Sequence, residues 1–547
     1  MTRLLAFVLL TALSLLTPAF VEAQTKGTWK ATGKKGAVAG GGQDAVEAGL
    51  SILQQGGNAP DAAVATILAL TVTDSNAFCF GGEVPIMVYD ARRKVVEVVC
   101  GLGTAPRLAT RAHFAKKGSI PAKGVESAAV PGVLDACLTT LDRYGTKTFA
   151  AVAAPTLRLL DRQAKTWHTD LARTLRRLIE AEKASPTDRS RGLRLIADYF
   201  YRGPLAWELD AWSRTNGGLI RYADLATHVT RIEEPLSVNY RGHTVYKCGV
   251  WTQGPYLLQT LRLLEGFDIK ALGHNRPDTI HLTAEALKLA LADRDMHYAD
   301  PLFSDVPIAE LLSTRYTELR RPLIDTKRAS LLQRPGDPRA SKALLERADA
   351  RTGPGGPAND TTTCLVADSF GNVVAATPSG FGGAVAGRTG VKLGTRLQSF
   401  NLWEGHPNCI EPGKRPRITL TPGLVLKNGK PLLAVSVAGG DGQDQAALQL
   451  ILNSLEFGLA PEQAVTAPRF GTEHLLGSFR QKAPRLGSLL VNPEIGEKTI
   501  KELQSRGHQV TLRKGPLWAP TLLRFDHDSG VIQAAGDPRA KRHAGAY

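Results

Sequence analysis

A candidate nucleophile stands where an irregular segment meets a β-rich run. Residues 351–360 read RTGPGGPAND, and so many glycines and prolines are typical of an exposed linker. Thr361 follows at once and opens a run with strand character. A threonine hydroxyl does not ionise near neutral pH, but a free α-amine has a pKa of about 7.7–8 and can accept the hydroxyl proton. Cutting the chain between Asp360 and Thr361 would create that base on the nucleophile's own residue.

Three patterns in the sequence have more than one interpretation. The run at Thr361, taken alone, also fits an ordinary start of a strand. Residues 40–45 match G-x-G-x-x-A, which fits either a dinucleotide site with Asp61 on the ribose or a tightly packed strand-to-helix turn; we favour the turn, because Asp61 falls at a helix start. His281 and Glu285 lie one helical turn apart, which fits a metal site or an ordinary helix face at the surface or core edge. Without a convincing third ligand nearby, we favour the helix face.

The elements around these residues predict a layered protein of helices and strands. Helical spacing covers residues 44–55, 62–71, 133–209, 279–296 and 445–455, and strand patterns cover residues 37–42, 86–89, 95–99, 238–246, 361–367, 373–377, 424–426 and 432–437. The last strand leads through a glycine turn, Gly439 to Gly442, into the last helix. Strands that alternate with helices in this way indicate an α/β or α+β domain.

Composition excludes several classes of protein. The chain has 547 residues, 43% of them hydrophobic and 22% charged, which excludes a mostly disordered chain and a repetitive fibre. Six cysteines without a CxxC pair exclude a disulfide scaffold and argue against structural zinc. The net charge of +16 is compatible with nucleic-acid binding, but no basic run concentrates it. We therefore interpret the chain as a basic exported enzyme that does not bind nucleic acid.

The first 23 residues predict an export signal. Arg3 supplies a positive charge, residues 4–16 are apolar, and Val21 and Ala23 are small residues of the kind that a signal peptidase reads. The apolar stretch is too short for a comfortable membrane span, although an uncleaved anchor is the alternative. We expect a mature protein that begins at Gln24, is secreted or periplasmic, and has no stable membrane insertion.

Segments along the whole mature chain resemble the γ-glutamyltransferase (glutathione hydrolase) family. The similar segments are 47–50, 56–65, 81–82, 85–90, 130–132, 144–145, 217–220, 224–225, 240–242, 281–294, 300–301, 359–363, 415–416, 421–422, 439–440, 467–470 and 537–539. Each segment is weak alone, but together they are specific. The resemblance implies an α+β N-terminal-nucleophile hydrolase, a four-layer α-β-β-α sandwich. It also implies one precursor that cuts itself into a heavy chain of residues 24–360 and a light chain of residues 361–547.

The resemblance implies a catalytic apparatus as well. Thr361 would attack the Asp360 carbonyl during maturation and a substrate amide during turnover, and the acyl group would pass to water or to a second amine. The backbone N–H groups of Gly439 and Gly440 would hold the oxyanion. Ser379 stands where the family has a threonine that hydrogen-bonds the nucleophile. No metal or organic cofactor is required, and the partners are a small amide or peptide substrate and the two chains of the precursor.

The substrate pocket departs from the family. Leu102 stands where the family has the arginine that holds the γ-glutamyl carboxylate, and an apolar side chain cannot make that pair. Ser399 replaces the acidic residue that binds the α-amino group, and Arg396 replaces a glutamine. Of two serines that help bind the carboxylate, one is Ile418 here, and only Thr419 keeps a hydroxyl.

Two explanations of this pocket stay open. In the first, the carboxylate is contacted from another position by Arg107, Arg396 or Arg417, although each of these also fits an ordinary surface cation. In the second, the acyl group is not glutamyl. The leading prediction is an exported, self-processing threonine amidase or acyltransferase that cleaves a γ-glutamyl-type amide, as in glutathione. The alternatives are an acylase or amidohydrolase for another acyl amide, and an uncleaved, inactive family member that serves as a binding protein.

Overall fold

The structure is a computed structural model that describes residues 28–346, 348–356 and 361–547. Its strands are β1 (Lys30–Gly33), β2 (Gly36–Gly40), β3 (Val84–Asp90), β4 (Val95–Gly101), β5 (Arg231–Glu233), β6 (Leu236–Tyr240), β7 (His243–Lys247), β8 (Cys364–Asp368), β9 (Val373–Ala376), β10 (Gly423–Lys427), β11 (Lys430–Ala438), β12 (Phe470–Gly471), β13 (Ser488–Val491), β14 (Gln509–Leu512), β15 (Ala519–Asp526), β16 (Val531–Gly536) and β17 (His543–Ala546). Its α-helices are α1 (Gln43–Gln54), α2 (Ala59–Thr73), α3 (Arg111–Ala115), α4 (Val133–Tyr144), α5 (Phe149–Asp161), α6 (Thr166–Glu182), α7 (Arg189–Tyr201), α8 (Pro204–Thr215), α9 (Tyr222–Ala226), α10 (Pro255–Leu264), α11 (Ile269–Leu272), α12 (Pro277–His297), α13 (Ile308–Leu311), α14 (Thr314–Arg320), α15 (Gln443–Leu455), α16 (Pro461–Thr466) and α17 (Glu497–Ser505). The predicted signal peptide, residues 1–23, and Asp360 lie outside the described residues.

Two seven-stranded sheets, antiparallel throughout, form the centre of the molecule. The first sheet has the strand order β17-β2-β8-β9-β3-β4-β5, and the second has the order β1-β16-β15-β11-β10-β7-β6. Strands β2, β8 and β9 are buried along their whole length, so both faces of this part of the first sheet are covered. That burial explains why these strands read as continuous apolar runs rather than as alternating patterns. A small third sheet contains β12, β13 and β14.

Helices cover the outer face of each sheet, which gives four layers. Leu365 of the first sheet and Leu424 of the second belong to the apolar cluster between the sheets. Helices α1, α2 and α4 to α8 pack with Val366 on the outer side of the first sheet. Helices α10, α12 and α15 pack with Val425 on the outer side of the second. The predicted α+β four-layer sandwich is confirmed.

The predicted helical ranges correspond to α1, α2, α4 to α8, α12 and α15, whereas other helices, such as α10 and α17, were not predicted. The long helical stretch at residues 133–209 is divided among five helices, α4 to α8. Gly145 caps the end of α4, and Pro204 begins α8 after Gly203, because proline suits a first helical position and glycine suits helix ends. No helix in the described ranges is both long enough and apolar enough to cross a bilayer.

The glycine pattern at residues 40–45 is a tight strand-to-helix turn. A Cβ on Gly42 would lie 2.6 Å from Cβ of Thr73, so this position has no room for a side chain. The Asp61 carboxylate is fully buried and accepts the backbone N–H of Asn58 at 3.0 Å, forming the capping box of α2. A carboxylate that caps a buried helix is not free to bind a ribose, so the packing interpretation of the pattern is confirmed.

His281 and Glu285 lie on a buried face of α12, not at the surface. His281 Nδ1 lies 2.8 Å from His508 Nε2, and Glu285 pairs with Lys288 at 2.6 Å and with Arg334 at 3.0 Å. The described part of the chain contains no group of three or more His, Cys, Asp or Glu side chains placed to hold a metal ion. The pair therefore contributes to a buried polar network between α12 and the loops around it.

Candidate active site

Thr361 begins the approach to β8, in the middle of the first sheet. Its backbone N–H donates to the Ala77 carbonyl at 3.2 Å, and its side chain is buried. Its φ of +86° lies in a region that a β-branched residue rarely adopts, which costs about 1–3 kcal/mol. The strain falls on the residue that follows the predicted scissile bond, where cleavage would release it.

Ser379 places its hydroxyl beside that of Thr361. Ser379 follows β9, the strand next to β8, and its Oγ lies 3.4 Å from Thr361 Oγ1. The distance is longer than the usual 2.5–3.0 Å of a hydroxyl–hydroxyl bond, so the contact is loose. Both side chains are buried, and the predicted pairing of the two positions is present.

Arg396 brings a charged group into contact with this hydroxyl pair. Its Nη2 donates to Ser379 Oγ at 2.8 Å, and its Nε donates to Glu83 Oε1 at 2.6 Å. The two charged side chains are 2% and 3% exposed. Arg396 therefore lies in the site, as predicted, but an acidic neighbour that the sequence analysis missed balances its charge. Its predicted contact with a substrate carboxylate stays a prediction.

Gly439 and Gly440 form the turn between β11 and α15, and their backbone angles require glycine. Their φ values are +138° and +58°, which L-residues with side chains rarely adopt. The indole of Trp518 lies against Gly439 and Gly442, and a Cβ on either glycine would overlap it. The close approach leaves no room for a side chain at either glycine, and the predicted role of the Gly439 and Gly440 N–H groups as oxyanion donors stays a prediction.

Gln443 links this glycine turn to Thr361, and the sequence analysis missed it. With its amide oriented to satisfy both ends, its oxygen accepts from Thr361 Oγ1 at 3.2 Å and from the Gly440 N–H at 3.2 Å. The amide nitrogen donates to the carbonyls of Val437 at 2.9 Å and Thr419 at 3.2 Å. The only sequence signal for this residue is its place at the start of the helix that follows the glycine turn.

A network of charged and polar side chains contacts the glycine turn. Asp441 accepts from Arg294 Nη1 at 2.8 Å and from the Ser478 N–H at 2.9 Å. Arg294 also donates to Gln253, whose amide nitrogen donates to the Gly440 carbonyl at 3.3 Å. Burial by itself lowers the pKa of Arg294, but the neighbouring carboxylates outweigh it, so the pKa lies above its ordinary value.

Arg417, predicted to contact substrate, belongs to the same network. Its Nη1 pairs with Asp295 at 3.2 Å, and its Nη2 donates to Ser478 Oγ at 3.0 Å. Burial, with the like charge of Arg294 nearby, lowers the pKa of Arg417 to about 10. The structure thus places this guanidinium beneath the glycine turn with an acidic partner, not at the surface.

The other three residues predicted to bind substrate differ in position. Arg107 is 63% exposed in its side chain and lies 3.8 Å from Asp224. Ser399 is fully buried, and its Oγ has no hydrogen-bond partner among the residues that the structure describes. Thr419 is buried beside Gln443. Thr419 therefore joins the nucleophile cluster, whereas Arg107 lies at the surface and its predicted role stays a prediction.

A cavity of about 290 Å³ adjoins the glycine turn. Its apolar walls are Leu475, Phe479, Leu490 and Trp518, and its charged ones are Asp441, Glu473 and Lys482. Gly356, the last described residue before the predicted cleavage junction, lies on its edge. The cavity therefore lies between the glycine turn and the predicted linker.

The chain is similar to known proteins over nearly its whole length. The γ-glutamyltranspeptidase family model matches residues 45–166 and 160–547. The chain is 31% identical to the glutathione hydrolase-like YwrD proenzyme of Bacillus subtilis (strain 168), over 90% of this chain and 95% of that protein. It is 32% identical to the acylase ACY 1 proenzyme of Pseudomonas sp. (strain V22), over 92% of each. The solved structure of cephalosporin acylase from Bacillus halodurans matches with a TM-score of 0.79 and 27% identity, over 99% of both chains.

Proposed function

The chain belongs to the γ-glutamyltranspeptidase family of N-terminal-nucleophile amidohydrolases, and from this premise we propose that it is an exported enzyme that activates itself by cutting before Thr361. The observation that carries the proposal is the cluster around one hydroxyl. Thr361 Oγ1 lies 3.4 Å from Ser379 Oγ and 3.2 Å from the side-chain oxygen of Gln443, which also binds the Gly440 N–H. This cluster supports the proposal, because it joins the hydroxyl proposed as nucleophile to a second hydroxyl and, through Gln443, to the N–H proposed as oxyanion donor.

In the proposed maturation, Thr361 Oγ1 attacks the carbonyl carbon of Asp360. The C–O bond forms, the C–N bond breaks, and the hydroxyl proton passes to the leaving nitrogen, so an amide becomes an ester. Water then hydrolyses the ester. The products are a heavy chain that ends at Asp360 and a light chain that begins at Thr361 with a free α-amine.

In the proposed turnover, the new amine of Thr361 is the general base. It takes the proton from Oγ1 as the oxygen attacks a substrate amide, and it returns a proton to the departing amine. The substrate oxygen replaces the Gln443 amide oxygen at the Gly440 N–H. An oxyanion donor of this kind lowers the activation free energy by about 3–4 kcal/mol. The acyl ester on Thr361 is released to water or to a second amine.

The proposed cellular route follows the predicted segments. Residues 1–23 direct export and are removed, so the precursor begins at Gln24. Cleavage then gives a heavy chain of residues 24–360 and a light chain of residues 361–547, which stay together because their strands share both sheets: β8 and β9 lie between β2 and β3 in the first. The mature enzyme is secreted or periplasmic.

The proposed acyl group has two candidates. A γ-glutamyl amide is the predicted substrate of the family resemblance. A non-glutamyl acyl amide is favoured by one observation: the arginines nominated to bind the glutamyl carboxylate already face carboxylates, Arg396 at Glu83 and Arg417 at Asp295. Leu102, which replaces the family's arginine, lies in the apolar cluster between the sheets. This charge balance around the nucleophile leads us to prefer the non-glutamyl acyl amide.

Mass spectrometry and a matched pair of anilides test the proposal. The purified protein is expected as two fragments whose junction is the Asp360–Thr361 bond. A γ-glutamyl anilide and a simple acyl anilide share one leaving group, so their kcat/KM ratio reports the acyl group alone. Faster release from the simple acyl anilide supports an acylase, and faster release from the γ-glutamyl anilide supports the family's predicted substrate. An uncut chain without turnover supports the inactive binding protein instead.

A further inference from the structure

We propose that the buried Arg396–Glu83 ion pair sets the proton affinity of the Thr361 α-amine. Arg396 also acts on the Thr361 hydroxyl, through the hydroxyl of Ser379. The inference rests on the proposed function, because the free amine exists only after cleavage. It assigns Arg396 the part of a positioning residue in place of the predicted contact with a substrate carboxylate. Glu83, which the sequence analysis did not single out, becomes the group that balances it.

The backbone holds the parts of this relay in register. Glu83 and Ser379 form an antiparallel bridge, in which the Ser379 N–H donates to the Glu83 carbonyl at 2.9 Å and the Glu83 N–H donates back at 3.0 Å. The Arg396 guanidinium spans the two side chains: its Nη2 lies 2.5 Å from Glu83 Oε1 and 2.8 Å from Ser379 Oγ. Because the three side chains are buried, solvent screens their charges little.

The hydroxyl of Ser379 transmits the charge to the nucleophile. An oxygen that accepts a hydrogen bond from a guanidinium becomes a better donor through its own O–H, because bonds in a chain polarise one another. In the structure Thr361 Oγ1 donates to Ser379 Oγ at 3.4 Å. When Thr361 Oγ1 loses its proton and gains negative charge during attack, the direction reverses and the Ser379 O–H becomes the donor. A bond that shortens at that moment stabilises the transition state more than the ground state.

The same two charges act in opposite directions on the amine of Thr361. A nearby positive charge disfavours the ammonium form and lowers the amine pKa, whereas a nearby negative charge raises it. The amine is a base only when neutral, so its pKa sets the acid limb of the pH profile of kcat/KM. The ion pair therefore adjusts how much of the enzyme is ready to react near neutral pH.

Among the residues that the structure describes, other ionisable groups lie around the ion pair, Thr362 and the glycine turn, and the variants below leave them unchanged. They are Asp74 with Arg542, Cys79, Lys392, Asp441 with Arg294, and Asp444 with Lys247. Asp74 contacts the residue next to the nucleophile, because it accepts a hydrogen bond from the hydroxyl of Thr362. Burial raises the pKa of Cys79 to about 12, so its thiol is neutral at working pH.

The test is the pH dependence of kcat/KM in the cleaved enzyme, with whichever of the two anilides the unchanged protein cleaves faster. Glu83→Gln removes a negative charge and keeps the positive one, so the acid limb should move to lower pH by about one unit. Arg396→Gln leaves the negative charge, so the limb should move to higher pH by about one unit. The double variant should return close to the unchanged profile. A general loss of structure would lower the rates without moving the two limbs apart.

Two further variants complete the design. Arg176→Gln removes an exposed guanidinium that pairs with Asp161 on another face, and its profile should match that of the unchanged enzyme. Arg396→Lys keeps a charge, so its acid limb should lie nearer the unchanged value than that of Arg396→Gln. If Arg396→Gln does not fold or cleave, the test rests on Glu83→Gln and Arg396→Lys. The inference is overturned if the acid limb of Glu83→Gln moves to higher pH or does not move.

The outcomes also separate this inference from the proposed function. A fully active chain in which residues 360 and 361 stay joined overturns both. A cleaved, active enzyme whose acid limbs coincide in Glu83→Gln, Arg396→Gln and the unchanged protein overturns the ion-pair inference alone. Limbs that move apart in the stated directions support both.

Discussion

Gly439 and Trp518 are in direct contact, and the indole occupies the space where a Cβ of residue 439 would stand. The glycine also has a φ of +138°, so a side chain there meets both an overlap and an unfavourable backbone. Trp518 itself has a φ of +63°, which L-residues rarely adopt. Such strain on both sides of a contact indicates that the position of the glycine turn is tightly constrained.

Gly439→Ala should therefore displace the turn and its N–H donors. We expect kcat to fall by about 100- to 1,000-fold, the usual effect of losing one oxyanion donor. Self-cleavage should slow as well, since it passes through the same oxyanion. Steady-state kinetics on the cleaved fraction measures the first effect, and the time course of fragment formation measures the second. An alanine variant with unchanged kcat would show that the turn does not hold the oxyanion.

Thr361→Ala should abolish both self-cleavage and turnover, because it removes the attacking oxygen while it leaves the buried backbone in place. A denaturing gel should show one chain of the precursor's size. Thr361→Ser keeps the hydroxyl and should still give two fragments, which makes it the matched control. Two fragments of unchanged size from the alanine variant would contradict the assigned nucleophile.

Arg294→Leu should destabilise the enzyme and loosen the glycine turn. The guanidinium is fully buried, and its loss removes the cationic partner of Asp441 and leaves Asp295 with Arg417. Removing one partner of such a pair typically costs about 3–5 kcal/mol, and urea unfolding measures it. We expect kcat to fall too, since Asp441 lies in the turn.

An exposed pair gives the control for this loss. Arg339→Leu removes a guanidinium that is 50% exposed and pairs with Asp305, which is 86% exposed. Its effect should stay within about 0.5 kcal/mol. Equal destabilisation by both variants would mean that burial of the Arg294 pair carries no special weight.

His406 should make the enzyme less stable as the pH falls. Burial lowers its pKa to about 4, and its Nδ1 accepts from the side chain of Asn401 at 2.9 Å and the N–H of Asn408 at 3.0 Å. In the unfolded chain a histidine has a pKa of about 6.5. Between about pH 6.5 and 4 the unfolded chain thus binds more protons, and stability falls with pH by about 3 kcal/mol in all.

Urea unfolding at several pH values checks this dependence. His406→Gln should be less stable at neutral pH, because it loses these bonds, but its stability should fall less steeply below about pH 6.5. Buried His474, whose pKa burial lowers to about 3, supplies a remaining slope in both proteins. An equal slope for the variant and the unchanged protein would contradict the role of His406.

The candidate nucleophile and many of the secondary-structure elements could be predicted from the sequence because their signals are local. A linker next to a strand start marks Thr361, and the glycine pairs mark turns whose backbone admits no other residue. Hydrophobic periodicity predicted β2 to β4, β6 to β11 and the long helices α1, α2, α4 to α8, α12 and α15, since the layer that each element enters dictates its buried face. It missed the strands after β11. The α+β four-layer arrangement followed from the family resemblance, and the structure confirmed it.

The partners of the buried charges could not be predicted in this way. Arg396 and Glu83 are 313 positions apart, and Gln443 meets Thr361 across 82 positions. No periodicity or spacing along the chain encodes which guanidinium meets which carboxylate. The sequence alone thus determined the family, the elements and the candidate nucleophile, because each depends on neighbours in the chain. Only the tertiary structure decided which charged side chains pair with one another. That pairing depends on how the two sheets bring distant loops to the same buried place.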